Sequence, residues 1–233
     1  MSPASALGAF FDVVLEAIFP IPPAEREVLG MGAVAALKRL PRAEHPHSGE
    51  ACSVFAYKDE RVSRLVWSIK YKKSRTGAAI AGYALYKITR FFAAAMLAGM
   101  RIVVVPMPVS RARRRERGFN QCELIMEEMA KLDRAENATG RNCKLIFSRD
   151  LLLRVRNTSR QTMKDRHERL ESIKDIFAVN ERAALLPELR RDPLNHFIVV
   201  IDDVITTGST IKDAVDTFRR AGFANTYGLS VAH

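Results

Sequence analysis

Cysteine is scarce: the 233 residues contain Cys52, Cys122 and Cys143 only, and residues 1–50 contain none. The three are widely spaced with no C-x-x-C pair, which argues against a disulfide framework and against a zinc site recognisable by spacing. An odd count of this kind points to a reducing compartment, and all three read as buried or half-buried structural thiols. His45 and His47 lie near Cys52 but match no zinc pattern. Long apolar runs are also missing. Residues 4–19 come nearest, but Asp12 and Glu16 interrupt them, Pro20 ends them and no basic lead-in precedes them. That excludes a bilayer span and a typical signal peptide, so the expected location is the cytoplasm. No internal repeat is visible.

Hydrophobic residues at 48% and charged residues at 27% are those of a soluble globular protein. The length suits one good-sized domain with a small appendage. We place the appendage at residues 1–52 and the main domain at 53–233. The net charge of +11 is uneven: residues 101–120 hold six arginines against one glutamate, and residues 149–169 hold seven basic residues against three acidic ones. Such clusters are either solvated faces or handles for a polyanion such as nucleic acid. Aromatic interleaving is thin, with Phe119 near the first cluster and none in the second, so stacking support for nucleic acid is weak.

The most informative stretch runs from Val199 to Thr210. His196 to Ile201 is too short and too β-branched for a helix and reads as a buried strand. Asp202 and Asp203 follow where that strand emerges, then Thr206, Thr207, Gly208, Ser209 and Thr210. A helical pattern follows, with Ile211, Ala214, Val215 and Phe218 on one face and Gly222 at its stop. A helix N-terminus attracts phosphate, the hydroxyls add donors, and glycine lets backbone approach closely. The aspartates do not bind phosphate, so they face sugar hydroxyls, a Mg²⁺ ion or developing positive charge. The plainer alternative is a helix capped by Ser209 or Thr210 with solvated aspartates.

Elsewhere, Leu7, Phe11, Val14, Leu15, Ile18 and Phe19 form one apolar helical stripe, and residues 20–50 read as a loop. Ser53–Tyr57 reads as a strand, and Val62, Leu65, Val66 and Ile69 mark an amphipathic helix with Trp67 on its flank. Lys70–Arg75 reads as a basic loop, followed by a long helix over about 77–97. Arg101–Pro106 is apolar enough for a central parallel strand. The arginines at 111–117 read as a loop that stays mobile until an anion neutralises it. Asn120 would cap a helix burying Leu124, Ile125, Met129 and Leu132, with 133–143 a surface turn. A short strand is expected at 144–147; Leu151–Arg156 then leads through Thr158–Gln161 into a charged helix up to about 172, followed by an edge strand at 173–179 and a last strand at 226–232. Alternating strands and helices imply an α/β fold with a mostly parallel sheet and ligands at the carboxyl ends of its strands.

The segment Asp202-Asp203-Val204-Ile205-Thr206-Thr207-Gly208-Ser209-Thr210 after an apolar strand resembles the 5-phosphoribosyl-1-pyrophosphate (PRPP) motif of type I phosphoribosyltransferases. Pro106-x-Pro108 followed by Arg117-Gly118-Phe119-Asn120-Gln121 is similar to the signature of the ComF family, competence-associated proteins with a phosphoribosyltransferase domain. Tyr57-Lys58-x-x-Arg61, Ile69-Lys70-Tyr71-Lys72, Gln161, Arg169 and Phe177 match its spacing, so the resemblance covers roughly residues 53–233. Family members usually open with paired C-x-x-C zinc ligands. Here the Phe19–Pro23 stretch survives without them, so no zinc is expected, and Ser172 stands where the family has asparagine.

The resemblance implies a phosphoribosyltransferase-like α/β fold with a small N-terminal hood. It implies PRPP as ligand, its phosphate on Thr206–Thr210, with Asp202 and Asp203 holding the ribose hydroxyls and Mg²⁺. Lys70, Tyr71, Arg113 and Arg117 would take the pyrophosphate, with Asp202, Asp203 and Lys70 as catalytic residues. The acceptor is not named by any residue. The alternative is a competence accessory protein that binds single-stranded DNA through its basic segments.

Overall fold

Two of the apolar runs lie side by side at the centre of the molecule. The structure, a computed structural model, describes residues 21–44, 49–95, 100–138, 145–155 and 176–233. The expectations for residues 4–19, His45, His47, Cys143 and the charged helix ending near 172 lie outside these. Strand β2 (Arg101–Pro106) pairs in parallel with β6 (His196–Val204), Arg101 opposite His196 and Pro106 opposite Ile201. Strand β7 (Thr226–Ala232) flanks β6 on its other side. Strand β1 (Ala51–Phe55) pairs with β7, and β3 (Ile146–Phe147) with β2. The five strands run in the order β1-β7-β6-β2-β3, and all are parallel. This is the expected α/β architecture, consistent with a phosphoribosyltransferase-like fold.

Side chains alternate along a strand, so a parallel sheet buried on both faces needs apolar residues at both parities. Ile102, Val104, Val199, Ile201, Leu229 and Val231 enter one apolar cluster, and Val103, Val105, Ile198 and Val200 enter the other. Helices α3 (Glu60–Lys72), α4 (Arg75–Ala95) and α6 (Gln121–Asn137) supply the first cluster. Helices α7 (Leu186–Arg191) and α8 (Ser209–Arg220) supply the second, together with a ribbon of β4 (Leu152–Arg154) and β5 (Phe177–Val179).

Several local expectations are corrected. Residues 20–50 are not simply loop: Pro23–Gly30 and Ala33–Arg39 form helices α1 and α2, which bury Val28 and Ala36 in the core. Proline misleads here because it is tolerated in the first turn of a helix, where Pro23 sits. Lys70, Tyr71 and Lys72 form the last turn of α3, which ends at Lys73 with φ +53°. Arg111–Arg117 forms helix α5 rather than a loop. Ser110 caps it by accepting from the Arg113 N–H at 3.3 Å, and Gly118 closes it at φ +76°. Repulsion among its solvated arginines is too weak to prevent this, and Glu123 neutralises Arg114 at 2.7 Å. Helix α6 extends to Asn137 because Asp133, read as part of a surface turn, is buried and accepts from the Leu145 N–H at 3.3 Å. The strand expected at the sheet edge pairs antiparallel with Leu152–Arg154 in a separate two-stranded ribbon.

Helix α3 starts at Asp59, whose carboxylate accepts from the Arg61 N–H at 2.9 Å and from the Arg61 guanidinium at 2.7 and 3.0 Å. Those side-chain hydrogen bonds hold Asp59 below the usual carboxylate range, against a smaller effect of burial. A group with a lowered folded-state pKa stabilises fully above its unfolded value, near ~3.9, and the stabilisation is lost as pH falls through the folded value. Asp59→Ala is therefore expected to cost about 1 kcal/mol in urea unfolding near neutral pH. The difference from wild type should shrink as pH falls below about 3.9. A difference that stays constant into strong acid contradicts this account.

Candidate active site

The alternation that builds the two cores continues to the carboxyl end of β6. Asp203 continues the Val199, Ile201 parity toward α3, where Lys70 Nζ lies 2.9 Å from its Oδ2. Asp202 continues the Ile198, Val200 parity. Its Oδ1 accepts from the Asp203 N–H at 2.8 Å and faces the Cys122 thiol at 3.5 Å. Cys122 is fixed by Asn120, the expected cap of α6, which accepts from the Cys122 N–H at 2.9 Å and donates to the Met107 carbonyl at 3.0 Å. Asp203 is only 4% exposed, and although Lys70 is close, no hydrogen-bond donor among the described residues is aligned on Oδ2.

Between β6 and α8 the chain turns through Thr206, Thr207 and Gly208. Gly208 adopts φ +77° and occupies the cap position of α8, so no side chain caps that helix. Helices α3, α5 and α6, by contrast, are capped by Asp59, Ser110 and Asn120. This corrects the plainer alternative: Ser209 and Thr210 lie inside the helix. The Ser209 N–H reaches Thr207 Oγ1 at 3.5 Å, and among the described residues no side chain accepts from the N–H groups of Thr210 and Ile211. Ser209 Oγ lies 3.0 Å from the same Thr207 Oγ1. The helix start is held against the sheet by Ile211, which packs on Gly228 of β7. A Cβ at Gly228 would fall 2.4 Å from Ile211 Cγ1 and 2.8 Å from Ala51 Cβ, so glycine is required for this approach.

A cleft of about 390 Å³ opens over the end of β6. Of the residues singled out from sequence, Lys70, Arg113, Asp202, Asp203, Thr206, Thr207, Gly208 and Thr210 line it. Tyr71, Arg117 and Ser209 are not among its lining residues. Tyr71 is exposed on α3 with the Arg117 guanidinium 5.1 Å from its ring centroid, and Arg117 donates to Gln121 at 3.3 Å. Sequence reasoning missed Tyr57, Gln121 and Arg154 as lining residues, and Cys122 as the neighbour of Asp202. Gln121 belongs to the motif after Pro108 and was within reach. Arg154 was not, because only the β4–β5 pairing carries it to the cleft.

Charge is unevenly distributed around this cleft. Burial, then the Asp203 charge, raises Asp202 above the usual carboxylate range. Burial pushes the Cys122 thiol far up, reinforced by both aspartates, so it stays protonated and is no nucleophile. Burial alone would lower Lys70, but the negative charges of Asp203 and then Asp202 outweigh it and raise the ammonium above its ordinary value. Arg154 is held below the usual arginine value by burial and then by the Arg113 charge, so two guanidiniums crowd one flank. The cleft therefore offers helix N–H groups and hydroxyls on one side, two carboxylates in the middle and guanidiniums on the other. That suits a polyhydroxylated ligand with an anionic group at each end.

Among the described residues no helix is long and apolar enough to cross a membrane. No protein-family model matches the chain. It is 24% identical over 119 residues to "Competence protein F" of Haemophilus influenzae, covering 51% of this chain and 44% of that protein. It is 34% identical over 122 residues to "Competence protein ComFC" of Bacillus subtilis, covering 52% of this chain and 40% of that protein. The chain thus spans less than half the length of each of these relatives.

Proposed function

We propose, from the premise that this chain is related to the ComF competence proteins, that it binds PRPP and transfers its phosphoribosyl group to an acceptor. One observation carries the reading. The acidic pair at the end of the central strand and the start of α8, which no side chain caps, line the same cleft. The 5-phosphate would sit on the N–H groups and hydroxyls of Thr206–Thr210, where helix partial charge favours an anion. Asp202 and Asp203 would hold the ribose hydroxyls, and Arg113 and Arg154 the pyrophosphate.

The two carboxylates fit Mg²⁺, which takes hard oxygen ligands from one or two side chains and completes its shell with substrate phosphates. The buried Asp203 Oδ2, with no aligned donor, supports that fit, whereas the protonated Cys122 thiol does not contribute. Bound there, Mg²⁺ would neutralise charge on the leaving group. The chain's own part is positional and electrostatic. Asp202 and Asp203 orient the ribose and support positive charge at its anomeric carbon. That carbon bonds to the acceptor nucleophile as its bond to the pyrophosphate oxygen breaks, and the guanidiniums take up the departing charge.

Isothermal titration with PRPP and Mg²⁺ tests the reading. Wild type should show saturable binding. Asp203→Asn and Gly208→Val should each weaken it at least about tenfold, with circular dichroism unchanged. No binding by wild type, or equal binding by both variants, contradicts it.

A second reading, binding of single-stranded DNA, is favoured by a surface that the linear sequence conceals. The Trp67 and Tyr71 rings are exposed on α3 with centroids 5.5 Å apart. Lys72 sits 4.9 Å above Trp67 and Arg117 of α5 sits 5.1 Å from Tyr71. Stacking rings beside cations are the elements of a sequence-tolerant strand-binding surface. In anisotropy titrations of labelled oligothymidylate, Trp67→Ala/Tyr71→Ala should weaken binding at two salt concentrations while leaving the salt slope unchanged. Unaltered affinity in the double variant removes this reading.

A further inference from the structure

We propose that Lys70 is a tethered cation that keeps the acidic pair closed to a free divalent metal ion, so that metal and sugar phosphate must enter together. The inference rests on the PRPP reading of the site and names how its two ligands are coupled.

A carboxylate as hidden as that of Asp203, 4% exposed, is costly to leave without a counter-charge. Lys70 supplies one from the last turn of α3 at 2.9 Å, with its side chain still 24% exposed toward the cleft. The contact is one ion pair at the end of a long, flexible stem, so the ammonium can swing to another anion without any movement of the backbone.

The same carboxylate belongs to the group of potential ligand atoms from Cys122, Asp202 and Asp203, all within 4.8 Å of one another. The Cys122 sulfur is a soft donor, so the two carboxylates are the hard ligands of this group. A divalent ion arriving alone would face the Lys70 charge 2.9 Å from one of those two carboxylates. It would bring no anion to draw the ammonium aside. A pyrophosphorylated sugar brings that anion. Lys70 then moves from Asp203 to the new negative charge, and the carboxylate is released to the incoming metal. Lys70 is thus a positioning residue for the acidic pair before metal and sugar phosphate enter.

Mn²⁺ is a spin probe for this, titrated into the protein without any sugar phosphate and read as loss of its free electron-paramagnetic-resonance signal. Wild type should leave the ion free. Lys70→Met should bind Mn²⁺ at least about tenfold more tightly, a usual size for coupling between two sites. Lys70→Met/Asp203→Asn should lose the gain. Lys70→Gln, which retains a donor for Asp203, serves the same comparison should Lys70→Met fail to fold by circular dichroism. Mn²⁺ binding by wild type that Asp203→Asn abolishes, or no binding by either Lys70 variant, overturns the proposal. Because PRPP is absent, failure here is distinct from failure of the PRPP reading, which shows as missing heat in the PRPP titration.

Discussion

Alternation along β6 is the constraint on which the remainder of the site depends. The rule that sends Val199 and Ile201 into one core and Ile198 and Val200 into the other sends Asp203 toward Lys70 and Asp202 toward Cys122. A slip of one residue would exchange the two carboxylates and bury charge against the wrong helices. Register is specified by the parallel pairing with β2 and β7 on either side, over a strand that is apolar on both faces. The acidic pair is thus fixed by the same interaction that makes the core.

The loop that follows is held by a second close approach. Ile211 resting on Gly228 brings the first turn of α8 close against β7, and Gly208 at φ +77° turns the chain into that helix without a capping side chain. A helix start left open in this way is less stable in isolation than one capped by aspartate or serine. Its cost is compatible with the fold because the rest of α8 buries Ile211, Ala214, Val215 and Phe218. The opposite flank has a related tension: Arg113 and Arg154 crowd together, and each new anion near them relieves it.

Much of this was legible in the sequence where one residue's role is decided locally. The β2, β6 and β7 strands, the Asn120 cap, the buried face of α6 and the order of acidic pair, hydroxyl loop and helix all follow from short-range pattern. The differences have separate causes. The arginine run at 111–117 suggests a mobile loop because like charges repel, yet on a solvated helix face that repulsion is screened, and Ser110 with Gly118 is enough to form α5. The proline-rich segment before β1 hid α1 for the reason that proline starts helices as well as ending them. Arg154, Tyr57 and the Arg117–Tyr71 contact were hidden because long-range pairing creates them, through the ribbon, the sheet edge and the meeting of α3 with α5, whereas Trp67 and Tyr71 meet as an i, i+4 pair once α3 runs on to Lys72.

The central claim is that the open start of α8 receives a phosphate beside an acidic pair that meets the attached sugar. Amide resonances in a ¹H–¹⁵N spectrum report this directly when ribose 5-phosphate is titrated into isotope-labelled protein. The account predicts that the largest saturable shifts fall on Thr207 through Ile211, with smaller ones at Asp202 and Asp203. Shifts confined to the arginines of α5 or the ribbon, with the amides of Thr207 to Ile211 unmoved, would contradict it.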